Sequence, residues 1–170
     1  MKRFFLIGSI LISGFISAHA QKSFTFGIGP NIGVPVGDAS DITSFIVGGE
    51  VQGECKFNKN VSAVFTSGYT HFIGKDLGLG VKINYGAIPV LAGIRYYPSA
   101  KFFIGGQAGY GFFTGDASNG GFAYKPQIGF DAGAAQIAVS YNAITNNGTI
   151  GWVGLSGIFK LSGNKTVTKK

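Results

Sequence analysis

The stretch from Ala87 to Gly111 has the clearest pattern of hydrophobic and polar positions in the chain, reading AIPVLAGIRYYPSAKFFIGGQAGYG. Large apolar residues alternate with small or polar ones on both sides of Pro98-Ser99-Ala100. This pattern predicts a β-hairpin with one apolar face. Arg95 on the first arm and Gln107 on the second lie on the opposite face, so the hairpin separates an apolar side from a small and polar side.

A period of two recurs in eight segments of this kind along the chain. We expect strands over residues 23–34, 44–57, 61–72, 81–97, 101–112, 121–133, 136–145 and 149–161. The connections alternate between long polar loops and short turns, and the last connection is intermediate in length. This plan is typical of an all-β, eight-stranded antiparallel up-and-down transmembrane β-barrel, whose even strand number places both ends of the barrel on one side.

The polar face of the strands predicts what fills the barrel. In a soluble barrel this face would form the outer surface, and a surface so rich in glycine and glutamine would be unusual. If the apolar face meets lipid, the small and polar residues fill a narrow interior. Eight residues are then expected to form an interior polar network: Glu50, Gln52, Glu54, Arg95, Gln107, Lys125, Gln127 and Asp131. Lys82 and Lys160 are further candidates. A structural plug is the favoured interpretation, and a gated ion path through rearranged pairs is the alternative.

Aromatic residues gather near the two ends of the predicted strands. The expected aromatic girdle consists of Phe57, Tyr96, Tyr97, Phe102, Tyr110, Phe112, Phe122, Tyr124 and Tyr141. Phe103 is expected at the same interface as Tyr97. Two such belts are typical of a barrel that crosses two membrane interfaces. The alternative is that phenylalanine and tyrosine simply suit strands.

Some positions break the simple pattern. Three prolines fall inside predicted strands, where each removes a hydrogen-bond donor and is expected to mark a bulge or a strand that reaches headgroup depth: Pro30, Pro89 and Pro126. The apolar face switches in the fourth strand, which predicts a bulge near Gly86 and Ala87. In the eighth strand Trp152 and Ile158 lie opposite the other large apolar residues.

The first twenty residues predict an export signal. Lys2 and Arg3 precede an apolar run that ends in Ala18-His19-Ala20, which has the form of a cleavage site. We therefore expect a cleaved signal peptide over residues 1–20, a barrel over 21–161 and a basic periplasmic tail over 162–170. A retained anchor is the alternative, although the run is shorter than the roughly 20 residues that a membrane-spanning helix needs.

Composition agrees with a membrane barrel and argues against other classes. Charged residues make up 12% of the chain, against about 25% in a typical soluble domain. The formal net charge is +7, but much of the excess lies in the leader and the tail, so no nucleic-acid partner is predicted. The only cysteine, Cys55, excludes an intramolecular disulfide.

No group of residues predicts catalysis, a cofactor or a metal site. Ser67 and His71 share a face of the third strand, but four residues of strand separate them by about 13 Å, which is too far for a nucleophile and its base. Asp38 and Asp41 lie in the first long loop without the pattern of a cation site.

The segments IPVLAGIRYYP and FFIGGQAGYG, with the glycine-rich and aromatic strands around them, resemble the small outer-membrane β-barrel proteins of the Bacteroidetes type. The chain is similar in plan to the transmembrane domain of OmpA and to OmpX. The resemblance implies a place in the cell outer membrane, contact with its lipid, and insertion by the barrel-assembly machinery. It implies no specific activity.

Three functions remain open from the sequence. The first is a non-enzymatic outer-membrane barrel with a structural or surface-interaction role through its loops. The second is a lipid-modifying outer-membrane enzyme, which requires a serine, a histidine and an acid to converge across strands. The third is a soluble secreted barrel that binds a small apolar ligand, which requires Val90 and Ile104 to point inward.

Overall fold

The computed structural model describes residues 23–76, 84–114 and 120–161 as a closed barrel. Its elements are β1 (Ser23–Val36), α1 (Ala39–Ile42), β2 (Thr43–Lys56), β3 (Val61–Gly74), β4 (Tyr85–Tyr96), β5 (Phe102–Thr114), β6 (Gly120–Asp131), β7 (Ala135–Thr145) and β8 (Thr149–Leu161). Each strand pairs antiparallel with the next, and β1 pairs with β8. The predicted eight-stranded antiparallel up-and-down barrel is confirmed.

The connections give the barrel two different ends. Residues 57–60, 97–101 and 132–134 connect strands at what we call the short-turn end. The described connections over residues 37–42 and 146–148 lie at the opposite end, which we call the long-loop end, and α1 forms a single short turn of helix inside the first predicted loop. The predicted signal peptide, the tail over 162–170, and the first residues of the predicted fourth strand (81–83) lie outside the described residues. Within the described ranges, no helix has the length and apolar character needed to span a bilayer.

The barrel is apolar outside and largely polar inside. Along each strand, alternate side chains point outward, and the large apolar ones among them are exposed, as Ile94 shows at 65%. Val90 is 36% exposed and Ile104 47%. Since both point outward, the structure does not meet the condition set for a soluble barrel with an apolar ligand inside.

Inward glycines let the strands curve tightly around this narrow interior. At Gly93, an added Cβ would collide with the carbonyl oxygen of Gly106 and lie 2.6 Å from the Cα of Gln107. At Gly106, on the outer face of the neighbouring strand, an added Cβ would meet no atom within 4 Å. Close backbone approach therefore requires glycine at Gly93 but not at Gly106.

The strand prolines interrupt the hydrogen-bonded ladders without forming bulges. Pro30, Pro89 and Pro126 each pair with a glycine on one neighbouring strand. On the other side the ladder has a gap, and the register is the same before and after it. Of the two alternatives expected for these prolines, a bulge or a strand that reaches headgroup depth, the bulge is therefore wrong. Each missing N–H instead costs pairing on one seam only, between β1 and β8, β3 and β4, or β6 and β7.

The bulge predicted near Gly86 and Ala87 is also wrong. The pairing of β4 with β5 is continuous through both residues. Tyr85 lies on the inward side of β4, stacked on Phe72 with ring centroids 4.6 Å apart. The apparent change of face arose because the interior is itself apolar at the long-loop end. The described β2–β3 ladder does shift register, between Thr43 and Phe45.

The contrast between two glycines on paired strands gives a stability prediction. We expect Gly93→Ala to lower the free energy of unfolding by about 1–3 kcal/mol, because the new methyl group must push two strands apart. Gly106→Ala, the matched control, adds the same methyl group into open space and should change stability little. Urea unfolding midpoints of the refolded proteins test this, and equal midpoints for the two variants would contradict it.

Candidate functional site

Arg95 is the centre of a polar cluster inside the barrel. Its side chain is buried, and its guanidinium lies 4.3 Å from the ring centroid of Phe103. It donates hydrogen bonds to one carboxylate and three amide oxygens: Glu54 at 3.3 Å, Gln52 at 2.7 Å, Gln127 at 3.1 Å and Gln136 at 2.9 Å. These partners come from β2, β6 and β7, so one guanidinium on β4 joins strands from opposite sides of the barrel.

Glu54 balances this buried charge. Its carboxylate is 2% exposed and accepts hydrogen bonds from four side chains: Arg95, Ser62 at 2.7 Å, Tyr97 at 2.5 Å and Gln136 at 2.9 Å. A carboxylate out of water needs this degree of pairing, because an isolated buried charge costs several kcal/mol. Gln136 Oε1 also accepts a hydrogen bond from the side-chain amide of Gln52 at 2.9 Å, so the cluster is cross-linked.

Tyr97 belongs to the interior, so its predicted place in the aromatic girdle is wrong. It is 1% exposed, and Phe103, expected at the same interface, is fully buried beside it. Their ring centroids lie 5.6 Å apart. Burial raises the pKa of the Tyr97 phenol, and the hydrogen bond to Glu54 raises it further, so the hydroxyl stays protonated and donates to the carboxylate. In the predicted strand 81–97, Tyr97 has the same parity as the inward Arg95, but its aromatic ring at a strand end favoured the girdle.

A second charged group lies nearer the short-turn end. Lys160 Nζ lies 2.6 Å from both carboxylate oxygens of Asp131. Lys56 Nζ is 3.8 Å from the same carboxylate and lies over the Tyr97 ring, 4.6 Å from its centroid. Gln136 donates to Asp131 at 3.3 Å, which connects this group to the Arg95 cluster.

A third group lies between the Arg95 cluster and the long-loop end. Lys125 Nζ donates to Glu50 at 2.7 Å, and both side chains are buried. A cavity of about 30 Å³ lies beside this pair, lined also by Thr66 and Ser140. A space of this size holds one or two water molecules. It is far too small to form an open channel.

The long-loop end of the interior is closed by an apolar cluster that the sequence analysis missed. Its buried members are Ile46, Phe72, Ala87, Leu91, Ala123, Ile144 and Trp152. Phe72 meets Trp152 edge to face, with ring centroids 5.2 Å apart. The available signal was that large apolar residues occupy polar-face positions in several strands near the long loops. Trp152 and Ile158, which broke the pattern of β8, both point inward.

The remaining predicted residues divide between the two faces as follows. Gln107 is buried on the inner face of β5 beside the Lys125 position, and its amide has no hydrogen bond to the described residues. Six of the expected girdle residues are exposed on the outer face: Phe57, Tyr96, Phe102, Tyr110, Phe112 and Phe122. Tyr124 and Tyr141 are half-buried, with ring centroids 6.1 Å apart. The candidate Lys82 lies outside the described residues.

The described strands do not assemble a nucleophile and base around His71. Its ring stacks on Tyr69 with centroids 6.3 Å apart. Within the described ranges, no hydrogen bond connects His71 to a serine or a carboxylate.

Comparisons with known proteins identify the fold. No protein-family model and no curated protein matches the sequence. Among solved structures, Ail, the attachment invasion locus protein of Yersinia pestis, aligns with a TM-score of 0.61 at 14% identity, covering 84% of this chain and 100% of that one. The outer membrane protein OprG from Pseudomonas aeruginosa aligns with a TM-score of 0.50 at 14% identity, over 85% and 98% of the two chains. The designed barrel TMB2.3 gives 0.53 at 10% identity, over 85% and 99%. The chain therefore has the fold of small eight-stranded transmembrane barrels.

Removing the central guanidinium should destabilise the barrel strongly. We expect Arg95→Leu to lower the free energy of unfolding by about 3–5 kcal/mol, because Glu54 then remains buried without its cation. Lys101→Leu replaces an exposed cation on the next turn and should change stability by no more than about 0.5 kcal/mol. Chemical denaturation of both variants measures the difference, and matching midpoints would refute this role of Arg95.

The pair of Glu50 and Lys125 can be tested by a double-mutant cycle. Glu50→Gln and Lys125→Met should each destabilise the barrel, because each leaves one buried partner unpaired. The double variant should lose less than the sum of the two, with a coupling energy of about 0.5–3 kcal/mol. Additive losses in urea unfolding would show that the two side chains do not interact in the folded barrel.

Proposed function

We propose that this protein is an integral outer-membrane β-barrel with a structural or surface-interaction role and a sealed interior. The observation that carries the proposal is the inverted arrangement of the barrel, with exposed apolar side chains around its wall and ion pairs inside. In water, a continuous apolar surface of this kind would drive aggregation. In a bilayer, the same surface is satisfied, and closure of the barrel leaves no unpaired strand edge in lipid.

The exposed aromatic rings support a membrane position for the wall. Tyr96, Phe57 and Phe102 lie at the short-turn end, whereas Phe112 and Phe122 lie near the long-loop end. Aromatic rings at two levels on an apolar wall suit the two interfaces of a bilayer. We propose that these residues form the girdle, and that the short-turn end faces the periplasm with the long loops outside, as is usual for such barrels.

The filled interior supports a role other than that of an open pore. The Arg95 cluster closes the middle of the barrel, and the apolar cluster around Phe72 and Trp152 closes the long-loop end. We therefore propose that the interior polar network is a structural plug. Transport through the barrel would require both clusters to rearrange.

The cellular setting of the proposal comes from the chain and its resemblance. The leader over residues 1–20 would direct export and be removed, and the barrel-assembly machinery would insert the mature barrel. The sequence favours a barrel of the Bacteroidetes type. Ail has been solved in complex with a heparin analogue, sucrose octasulfate. We propose, by this likeness of fold, that the loops of the present barrel also contact an extracellular partner.

Membrane insertion and folding can be tested together. We expect the protein to be recovered in the outer-membrane fraction, and to migrate differently on a denaturing gel before and after boiling, because a closed barrel resists detergent until it is heated. A matched sample of the Arg95→Leu variant should lose the compact form at a lower temperature. Recovery of the wild-type protein as a soluble periplasmic species would overturn the proposal.

A further inference from the structure

We propose that a groove in the outer wall of the barrel binds a lipid acyl chain that carries a hydroxyl group. The groove lies beside the pair of Gly106 and Pro126, and the hydroxyl donates a hydrogen bond to the backbone carbonyl of Tyr141. The inference rests on the proposed membrane position and goes beyond it, because it names a lipid chemistry that one part of the wall selects.

The carbonyl oxygen of Tyr141 lacks its donor in the β6–β7 ladder. The ladder continues on both sides of a gap, and the two missing pairs are those of Pro126 with Tyr141 and of Lys125 with Asn142. In an antiparallel ladder, alternate residue pairs exchange both of their N–H···O=C bonds. These two pairs are lost together when Pro126 stands at an exchanging position, because its missing N–H is the group that would have donated to Tyr141.

The Tyr141 carbonyl lies at middle depth in the wall. Pro126 is the seventh of the twelve residues of β6, and Tyr141 is the seventh of the eleven residues of β7. Each residue of strand spans about 3.3 Å, so both positions are well removed from the two ends of the barrel. At this depth a bilayer supplies no water to an unpaired backbone oxygen. A hydroxyl group on an acyl chain reaches this depth, whereas the headgroups lie at the level of the strand ends.

The wall is hollowed next to this carbonyl. The groove has a volume of about 660 Å³. Gly106 keeps it open, since an added Cβ there would meet no atom within 4 Å. Apolar side chains from five successive strands line it: Ile94, Ile104, Ile128, Val139 and Val153. An acyl chain in the groove therefore contacts more apolar surface than it would on a flat wall.

The course of the groove favours a lipid as the occupant. Tyr96, an exposed ring at the end of β4, lines it on one side, and Val153, well inside β8, lines it on the other. The groove thus leads from the short-turn interface into the wall, as an acyl chain does from its headgroup. Docking of a second barrel would require no such connection to the interface.

The gap at Pro126 opens on the largest depression beside a strand proline. Pro89 lines the internal cavity rather than the outer wall. The depression beside Pro30 has a volume of about 240 Å³. The missing donor and a deep apolar groove therefore coincide best at Pro126.

The Tyr141 carbonyl can be observed alone, because Tyr141-Asn142 is the only Tyr-Asn step in the chain. Protein with isotope labels on tyrosine carbonyl carbons and asparagine amide nitrogens therefore gives one resonance in a carbonyl–amide correlation spectrum. The mature protein, refolded in detergent micelles, is titrated with phosphatidylcholine that carries either ricinoleoyl or oleoyl chains, which differ by one mid-chain hydroxyl. We expect the ricinoleoyl lipid alone to shift the resonance in the direction of hydrogen-bond acceptance. It should also bind about fivefold more tightly, the effect of one hydrogen bond of ordinary net strength.

Two substitutions separate the carbonyl from the groove. Pro126→Ala restores the ladder N–H, so the Tyr141 resonance should start at the shifted position and no longer respond to the ricinoleoyl lipid. Gly106→Leu fills the groove and should abolish the response while the carbonyl stays unpaired. Gly157→Leu is the matched control, since an added Cβ there also meets no atom within 4 Å but the residue lies outside the groove. Its response should equal that of the wild-type barrel.

Three results would overturn the inference. Equal shifts with the two lipids would show a groove that takes acyl chains regardless of a hydroxyl group. A resonance that lies at the shifted position before lipid is added would show that internal water already satisfies the carbonyl. A shift that follows protein concentration alone would identify a second barrel as the occupant.

The outcomes also separate this inference from the proposed function. A barrel that is inserted in the membrane but shows no ricinoleoyl-dependent shift overturns the inference alone. A wild-type protein recovered as a soluble periplasmic species overturns both.

Discussion

A guanidinium inside a narrow barrel must find all its solvation in neighbouring side chains, and the interior of this protein depends on that requirement. Arg95 can be buried because Glu54 supplies the countercharge and glutamines from three strands supply neutral oxygens. The same glutamines are long enough to cross the barrel axis. Small residues beside them, including Gly93 and Gly105, leave room for such side chains. The buried charges and the curvature of the barrel wall therefore depend on each other. The strands can curve tightly only where glycine leaves space for the long polar side chains.

The interior changes character from one end to the other. Near the short turns, Lys160 keeps 12% of its side chain exposed, whereas its partner Asp131 is buried. Arg95 and Glu54 are dry in the middle, and Phe72 and Trp152 form a layer without charge beyond them. A solute moving along the axis from the short turns would pass first the ion pairs and then the aromatic rings, and it would have to lose its water at both. Two unlike barriers in series give a more complete seal than either alone.

Much of the fold could be predicted because alternation in a strand has only two phases. The residues beside Glu50 or Ile104 show which face of the strand each one lies on. The alternation of short and long connections then predicts the strand order. The errors came where residue type outweighed that reasoning. Tyr97 shares the parity of Arg95 and points inward with it, although an aromatic ring at a strand end favoured the girdle. Tyr85 and Trp152 are apolar or aromatic on the inner face, and a rule that equates polar with inward cannot place them.

The site was partly predictable for a related reason. The inward set of polar residues could be identified, but their partners could not, because the pairing depends on side chains that reach across the axis between strands far apart in sequence. Gln136 illustrates this limit. It contacts Arg95, Glu54 and Asp131, yet nothing in its local sequence distinguishes it from an ordinary strand glutamine.

The proline in β1 has a consequence for how the barrel is completed. The first and last strands are far apart in the chain, so their pairing carries the largest loss of chain entropy on closure. The gap at Pro30 divides this ladder into three residue pairs near the short turns and six near the long loops. The β1–β8 ladder therefore consists of two short segments. The longer segment forms more residue pairs when it closes, so its pairing is stabilised more. Once either segment has formed, the other closes as a local event, so the first segment to pair bears most of the entropic cost of joining β1 to β8.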